Sequence, residues 1–199
     1  MNFFEIDNKF KLPEEFTLDL LDALPIHKHH YGQPMEAIPS SLYWTEYQPF
    51  QEGDGTISFA RMLFLQYPSV AHYVANYIKS FFPKLPLDYR RINMLKTCGS
   101  IRMHKDESNR KCCINIGISN STGAITKTSS TLEHAIFEDV AVPHQCQDGY
   151  AYLLDTSHLH RVIAVNDQPR YLFTYGFGVT FEEVYSFYKP DLSKLTQCT

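Results

Sequence analysis

From residue 90 onward the chain is a succession of short apolar or alternating runs, each closed by turn formers. The runs are 91–96, 100–104, 112–118, 135–142, 150–154, 160–165 and 170–179, with breaks at Gly99, Asn109, 121–123, Asp148-Gly149 and Asn166-Asp167. Runs of this length and spacing predict an all-β sandwich or barrel. Ahead of them the period changes. Val70, Val74, Tyr77, Ile78 and Phe81 recur at helical spacing between Pro68 and the Pro83/Pro86 pair, which predicts an amphipathic helix. The run from Ile57 to Tyr67 is apolar without a clear period, and its length leans the reading towards helix. Residues 1–55 are punctuated by Pro13, Pro25, Pro34, Pro39 and Pro49, so they predict loops and strands around the main body, with one short helix at Thr17 to Leu24. Thr180 and Glu183 stand at capping-box spacing and predict a last short helix. The expectation is a mainly β single domain over residues 1–199, its core at about 91–178, with residues 1–90 flanking it and a few helices outside.

Composition narrows the function classes. Phe and Tyr are abundant (14 and 13) and charged residues make up only 20%, which excludes a disordered tail. A net charge of −4 gives no electrostatic footprint for nucleic acid, so no nucleic-acid partner is expected. No segment approaches transmembrane length, so no membrane partner is expected. Met1 to Asp7 lacks the basic and apolar regions of a secretory signal. The five cysteines include no CxxC pair, which argues against a disulfide framework and a structural zinc site. Free thiols imply a reducing compartment, and a cytoplasmic setting is expected.

Candidate chemistry gathers in two stretches. In Ser100-Ile101-Arg102-Met103-His104-Lys105-Asp106-Glu107, strand alternation puts Arg102, His104 and Asp106 on one face and Ile101, Met103 and Lys105 on the other. An imidazole and a carboxylate two residues apart supply two donors of a 2-His-1-carboxylate facial triad, which leaves positions open on Fe(II). In the second stretch, Asp148 to Val162, a strand ends at Asp155 and another opens at His160. His158 and His160 share a face, and either offers the third donor. Arg170 heads the last strand, where its planar fork can grip a carboxylate bidentately. The remaining histidines read as solvated or structural: His27-Lys28-His29-His30 as a loop, and His72, His134 and His144 as single residues without partner spacing.

The order His104-x-Asp106, then His160 54 positions after Asp106, then Arg170 ten further on, resembles the Fe(II)- and 2-oxoglutarate-dependent dioxygenases. Within them the chain looks most like the aspartyl/asparaginyl β-hydroxylase-like branch. That branch has a similar His-x-Asp followed by Arg (here Arg110) and a Gly-x-x-x-x-x-Asp-x-Ser-x-x-His-x-Val run, matched from Gly149 to Val162. The resemblance covers about residues 91–178. It implies a double-stranded β-helix (jelly roll) in which His104, Asp106 and His160 hold Fe(II) and do the catalytic work. It favours His160 over His158 by its spacing to Val162 and Arg170. It also implies that Arg170 binds the far carboxylate of 2-oxoglutarate, with Arg110, Tyr152 and Asn115 as further cosubstrate or substrate contacts and Asn93 a candidate cavity residue. The implied reaction consumes O2 and 2-oxoglutarate and hydroxylates an amino-acid side chain, free or in a polypeptide. Two other readings are a non-catalytic β-sandwich binding module and a cupin-like enzyme with another metal. The cupin pattern fits poorly, because Ala164 stands where a glutamate ligand is wanted.

Overall fold

The computed structural model describes residues 3–6, 9–14, 16–29, 44–47, 57–64, 68–106 and 109–189. His30 and much of the proline-rich region before residue 57 lie outside them.

Among the described residues, twelve strands form two sheets. The large sheet holds β1 (Phe3–Ile6), β2 (Ile26–His29), β3 (Trp44–Tyr47), β4 (Ile57–Phe64), β5 (Asn93–Gly99), β7 (Cys112–Ser119), β10 (Ala151–Asp155) and β12 (Arg170–Phe177). Its order is β1-β10-β7-β12-β5-β4-β3-β2. The small sheet holds β6 (Ile101–His104), β8 (Ala124–Thr128), β9 (Val142–Gln145) and β11 (His160–Ala164), in the order β6-β11-β8-β9. All pairings are antiparallel except β2 with β3. From β5 to β12 the chain crosses repeatedly between the sheets, leaving β5-β12-β7-β10 in one and β6-β11-β8-β9 in the other, the pairing of an eight-stranded jelly roll. The N-terminal strands extend the large sheet at both edges.

Each large-sheet strand has two different faces, as the two-residue period of a strand requires. On β7, Ile114 and Ile116 point outward into the main apolar core, and Cys113, Asn115 and Gly117 point between the sheets. On β12, Tyr171, Phe173 and Tyr175 face the core, and Arg170 and Leu172 face inward. Helix α2 (Pro68–Phe81) covers the outer face, with Val70, Val74, Ile78 and Phe81 buried in that core and Tyr77 partly buried, as the helical spacing predicted. Each such side chain contributes about 1.5–3 kcal/mol, so a charge at Val74 would remove the reason for the helix to dock. Two other helices follow their capping signals. Thr17 caps α1 (Leu18–Asp22) by accepting from the Leu20 amide, and Thr180 and Glu183 complete a reciprocal capping box at α4 (Phe181–Ser186).

Three sequence expectations are corrected. The apolar run leaned towards helix is strand β4, whose backbone pairs with β3 on one side and β5 on the other; two sheet neighbours override a length argument. The 135–142 run is not a strand: residues 134–136 form a 3-10 turn and 137–140 the short helix α3 (Phe137–Val140), with strand only from Val142. Its apolar residues misled because Ile136, Val140 and Val142 are exposed and Phe137 alone is buried. Finally, β6 does not alternate cleanly. His160 pairs with His104 and Val162 with Ile101, so β6 carries one extra residue, a bulge. Ile101 therefore joins His104 in lining the cavity, and Arg102 is exposed.

Candidate metal centre and anion pocket

The bulge places His104 at the end of β6 directly opposite His160 at the start of β11. Their rings lie 4.3 Å apart, centroid to centroid. Past the strand end, the Asp106 amide donates to Thr156 O at 2.9 Å, which turns the Asp106 side chain back beside the two rings. One donor atom from each of His104, Asp106 and His160 falls within 4.8 Å of the others. Asp106 Oδ1 stands 3.6 Å from His104 Nε2. Metal–nitrogen and metal–oxygen bonds are about 2.0–2.2 Å, so an ion drawn to this point closes the donors inward by small torsional movements.

The ring orientations suit a metal. His104 Nδ1 lies 2.8 Å from Arg102 O and His160 Nδ1 3.0 Å from His158 O. A main-chain carbonyl is only an acceptor, so each Nδ1 carries the proton and each Nε2 lone pair is left for a ligand bond. Burial, and then the neighbouring His104, pushes the His160 pKa down to about 4, so its ring is neutral near pH 7, as ligation requires. Asp106 shows one oxygen to His104 and the other to Arg110 Nη1 at 3.4 Å. Two imidazoles and a carboxylate form a mixed N/O set suited to Fe(II) with open coordination positions. His104 is over a third exposed, whereas Asp106 and His160 are largely covered, so the centre opens past His104.

His158 is not in this set. Its Nδ1 is held at 2.9 Å by Asp155 Oδ2, in the turn that leads into β11. The choice between the two histidines thus falls to His160 on geometry.

Behind the centre lies a cavity of about 110 Å³ between the sheets. A single water needs about 10–15 Å³ on this measure, so it has room for a short-chain molecule. His104, Asp106, Arg110, Asn115, Tyr152, His160 and Arg170 all line it. Arg170 is buried, its Nε has no hydrogen-bond partner, and no acidic side chain among the described residues pairs with it. Burial pulls its pKa down, and Cys146 opposes this. A buried guanidinium without a counter-charge is costly to keep. Arg110 differs: it pairs with Asp106, and its Nη2 donates to Thr174 Oγ1 at 2.8 Å. Thr174 Oγ1 in turn donates to Asn115 Oδ1 at 2.7 Å. The Tyr152 hydroxyl accepts from the Gln147 amide, and burial raises its pKa, so it stays a neutral phenol. Asn93 does not line the cavity; its amide donates to Arg91 O at 3.2 Å.

Sequence reasoning missed Ser121 and Cys146. Ser121 sits in the β7–β8 connection, read as a break, yet its buried hydroxyl lines the cavity without a partner. Cys146 lines it too, and burial pushes its thiol up to about 12. Neither residue belongs to a spaced motif, and only the fold brings them to this place.

No protein-family model and no curated protein matches the chain. Among solved structures it is similar to an oxidoreductase of the 2OG-Fe(II) oxygenase family from Burkholderia pseudomallei, at 16% identity and TM-score 0.36 over 44% of this chain. That match spans only 42% of the Burkholderia chain. It is also similar to a prolyl-4-hydroxylase from Pseudomonas putida, at 11% identity and TM-score 0.39, over 61% of this chain and 73% of that one. The jelly roll and the two-histidine, one-aspartate set described above agree, at that general level, with the superfamily resemblance read from the motifs.

Proposed function

We propose that the protein is an Fe(II)- and 2-oxoglutarate-dependent oxygenase that hydroxylates an amino-acid side chain, free or within a polypeptide. The observation that carries the reading is a pairing within one cavity: a three-donor metal set at its mouth and an unpaired buried cation, Arg170, among its walls. The donor set favours a metal enzyme over a non-catalytic binding module, and the buried cation beside it favours a carboxylate cosubstrate over a cupin-like site.

His104, Asp106 and His160 would hold the iron. When bound, the iron with 2-oxoglutarate and O2 supplies one oxygen atom to a substrate C–H bond, with succinate and CO2 as coproducts. The chain's own residues do the rest. The carbonyls of Arg102 and His158 keep both Nδ1 protons in place and both Nε2 atoms free. Arg110 pairs with the second Asp106 oxygen, so the carboxylate would offer its other oxygen to the iron. Arg170 takes the far carboxylate of the cosubstrate, with the Ser121 hydroxyl and the Tyr152 side chain in the same wall. Asn115 and Thr174 relay from Arg110 into the cavity and orient what lies there.

The side-chain substrate class rests on the Gly149–Val162 run and its likeness to the β-hydroxylase-like branch. Residues 1–199 are read as one domain, with the catalytic core at about 91–178. No described helix is long and apolar enough to cross a membrane. The thiols Cys98, Cys112, Cys113 and Cys146 are free, which suits a reducing, cytoplasmic setting where ferrous iron persists. The test is incubation with Fe(II), 2-oxoglutarate and oxygen, followed by mass spectrometry of candidate amino acids and peptides. A product heavier by one oxygen atom, formed with matching succinate, is the expected result. Absence of succinate under every condition that loads the metal would overturn the reading.

A further inference from the structure

One buried acid has no part in the chemistry above. Asp155 is only 5% exposed, does not line the cavity and is not among the three donors. Burying a carboxylate is costly unless its lone pairs are filled, and here they are filled locally. Oδ1 accepts from the Ser157 amide at 3.0 Å and from the Ser157 hydroxyl at 2.6 Å. Oδ2 accepts from His158 Nδ1 at 2.9 Å. One side chain thus staples the turn that follows it.

That turn touches two of the three metal donors through its main chain. Thr156 O accepts the Asp106 amide at 2.9 Å, and His158 O accepts His160 Nδ1 at 3.0 Å. The first bond sets where the Asp106 carboxylate sits. The second fixes which nitrogen of His160 faces the metal. An amide at position 155 would not serve equally: all three partners are donors, and an asparagine has a single acceptor oxygen.

We propose that Asp155 is a positioning residue for the metal centre, its carboxylate holding the 155–158 turn so that two carbonyls of that turn orient His160 and Asp106. The inference rests on the metal-binding reading above. Main-chain bonds from Thr156 and Ser157 to Lys111 O, at 3.0 and 2.9 Å, also hold this turn. They are the rival: if they suffice, Asp155 contributes stability alone.

Co(II) titration followed by its visible absorption separates the cases, with folded protein confirmed by urea denaturation. Partners of metal ligands are worth 10–100-fold in metal affinity. Because Asp155 acts one bond further out, the expected loss in Asp155→Ala is on the order of tenfold, with altered Co(II) band intensities. Asp155→Asn keeps one acceptor for Ser157 and should fall between. The control is Asp22→Ala, which breaks the contacts of Asp22 to Lys96 and Tyr171, residues that alternate with the cavity-lining Thr97 and Arg170. It should lose stability and keep wild-type Co(II) affinity. Wild-type affinity in Asp155→Ala, or an equal loss in Asp22→Ala, overturns the proposal. Should Asp155→Ala fail to fold, Asp155→Asn and Ser157→Ala decide, and wild-type affinity in both overturns it. Failure of the wild-type protein itself to bind Co(II) would instead overturn the metal reading on which this one stands.

Discussion

The two ends of the cavity are built on opposite plans. At the mouth every polar group that orients a donor is already satisfied: His104 by Arg102 O, His160 by His158 O, Asp106 by Arg110. Along the inner wall, Arg170 Nε and Ser121 Oγ are buried and have no partner. Satisfied polar networks rigidify, and unsatisfied ones raise the free energy of the empty state. The mouth is therefore prepared to bind whether or not anything is there. Among the described residues the inner wall leaves Arg170 Nε without an acceptor, and under the proposed function an anionic ligand supplies one.

The largest effect should come from the prepared end. His104→Ala, Asp106→Ala and His160→Ala each remove one of three donors, so each should abolish iron-dependent turnover while the fold survives. His158→Ala should keep the metal, because its ring belongs to Asp155. Loss of metal in His158→Ala but not in His160→Ala, read by Co(II) titration, would reverse the assignment.

The next effect separates the ends. Arg170→Ala should raise the dissociation constant for 2-oxoglutarate on the order of a hundredfold or more, because charge-assisted bonds are worth about 1.5–3 kcal/mol each and two are lost. Arg170→Lys should fall between, keeping charge without the planar fork. Metal affinity measured without 2-oxoglutarate should hardly move. Stability should respond in the opposite sense. Arg170→Met replaces an unpaired buried cation by an apolar side chain and should leave the ligand-free protein as stable or more so. Equal 2-oxoglutarate binding by Arg170→Ala would break the comparison and move the anion site to Arg110.

These contrasts show what the sequence made legible. The His-x-Asp pair was readable as two candidate donors, and the third narrowed to His158 or His160; the family resemblance, not strand period, favoured His160. The amphipathic helix over 68–81 was readable from one apolar face, and the capping box from two side chains. What failed depends on neighbours. Strand β4 is decided by β3 and β5 beside it, and the bulge that turns Ile101 inward by its register against β11. Ser121 matters only through what the fold brings within hydrogen-bond reach, and no spacing in the chain announces it. Asp155 and Ser157 stand in the Gly149–Val162 run, but what they hold shows only in the hydrogen bonds of the turn.

A third prediction concerns pH in the metal-free protein. The His160 pKa is lowered to about 4, against about 6.5 in an unfolded chain. Between those values the unfolded chain binds more protons, so stability rises with pH across that window and is lost as pH falls from about 6.5 towards 4. Urea midpoints should therefore drop more steeply on acidification in wild type than in His160→Gln, which has no proton to take up there. Parallel slopes would mean that the ring is less desolvated than its position implies.

The smallest effect should come from Ser121, and it tests the inner wall without touching charge. The Ser121 amide is anchored independently, donating to Asp148 Oδ1 at 2.8 Å, so Ser121→Ala removes the hydroxyl and leaves the backbone in place. With no ligand bound, that hydroxyl is a buried group without a partner, and deleting it should cost nothing or stabilise slightly. With 2-oxoglutarate bound, one bond to an anion is lost, which should weaken its binding on the order of tenfold. Gly117→Ala approaches the same atom from the other side. A Cβ there would lie 2.3 Å from Ser121 Oγ and 2.6 Å from Gln147 O, so it must push the hydroxyl aside and strain a main-chain neighbour. It should lose 2-oxoglutarate affinity as Ser121→Ala does, but with a loss of stability that Ser121→Ala does not share. Calorimetric titration of 2-oxoglutarate and urea midpoints on the two variants measure both quantities. Unchanged 2-oxoglutarate binding in Ser121→Ala would leave the anion to Arg170 alone and make the buried hydroxyl a packing feature of the β7–β8 connection.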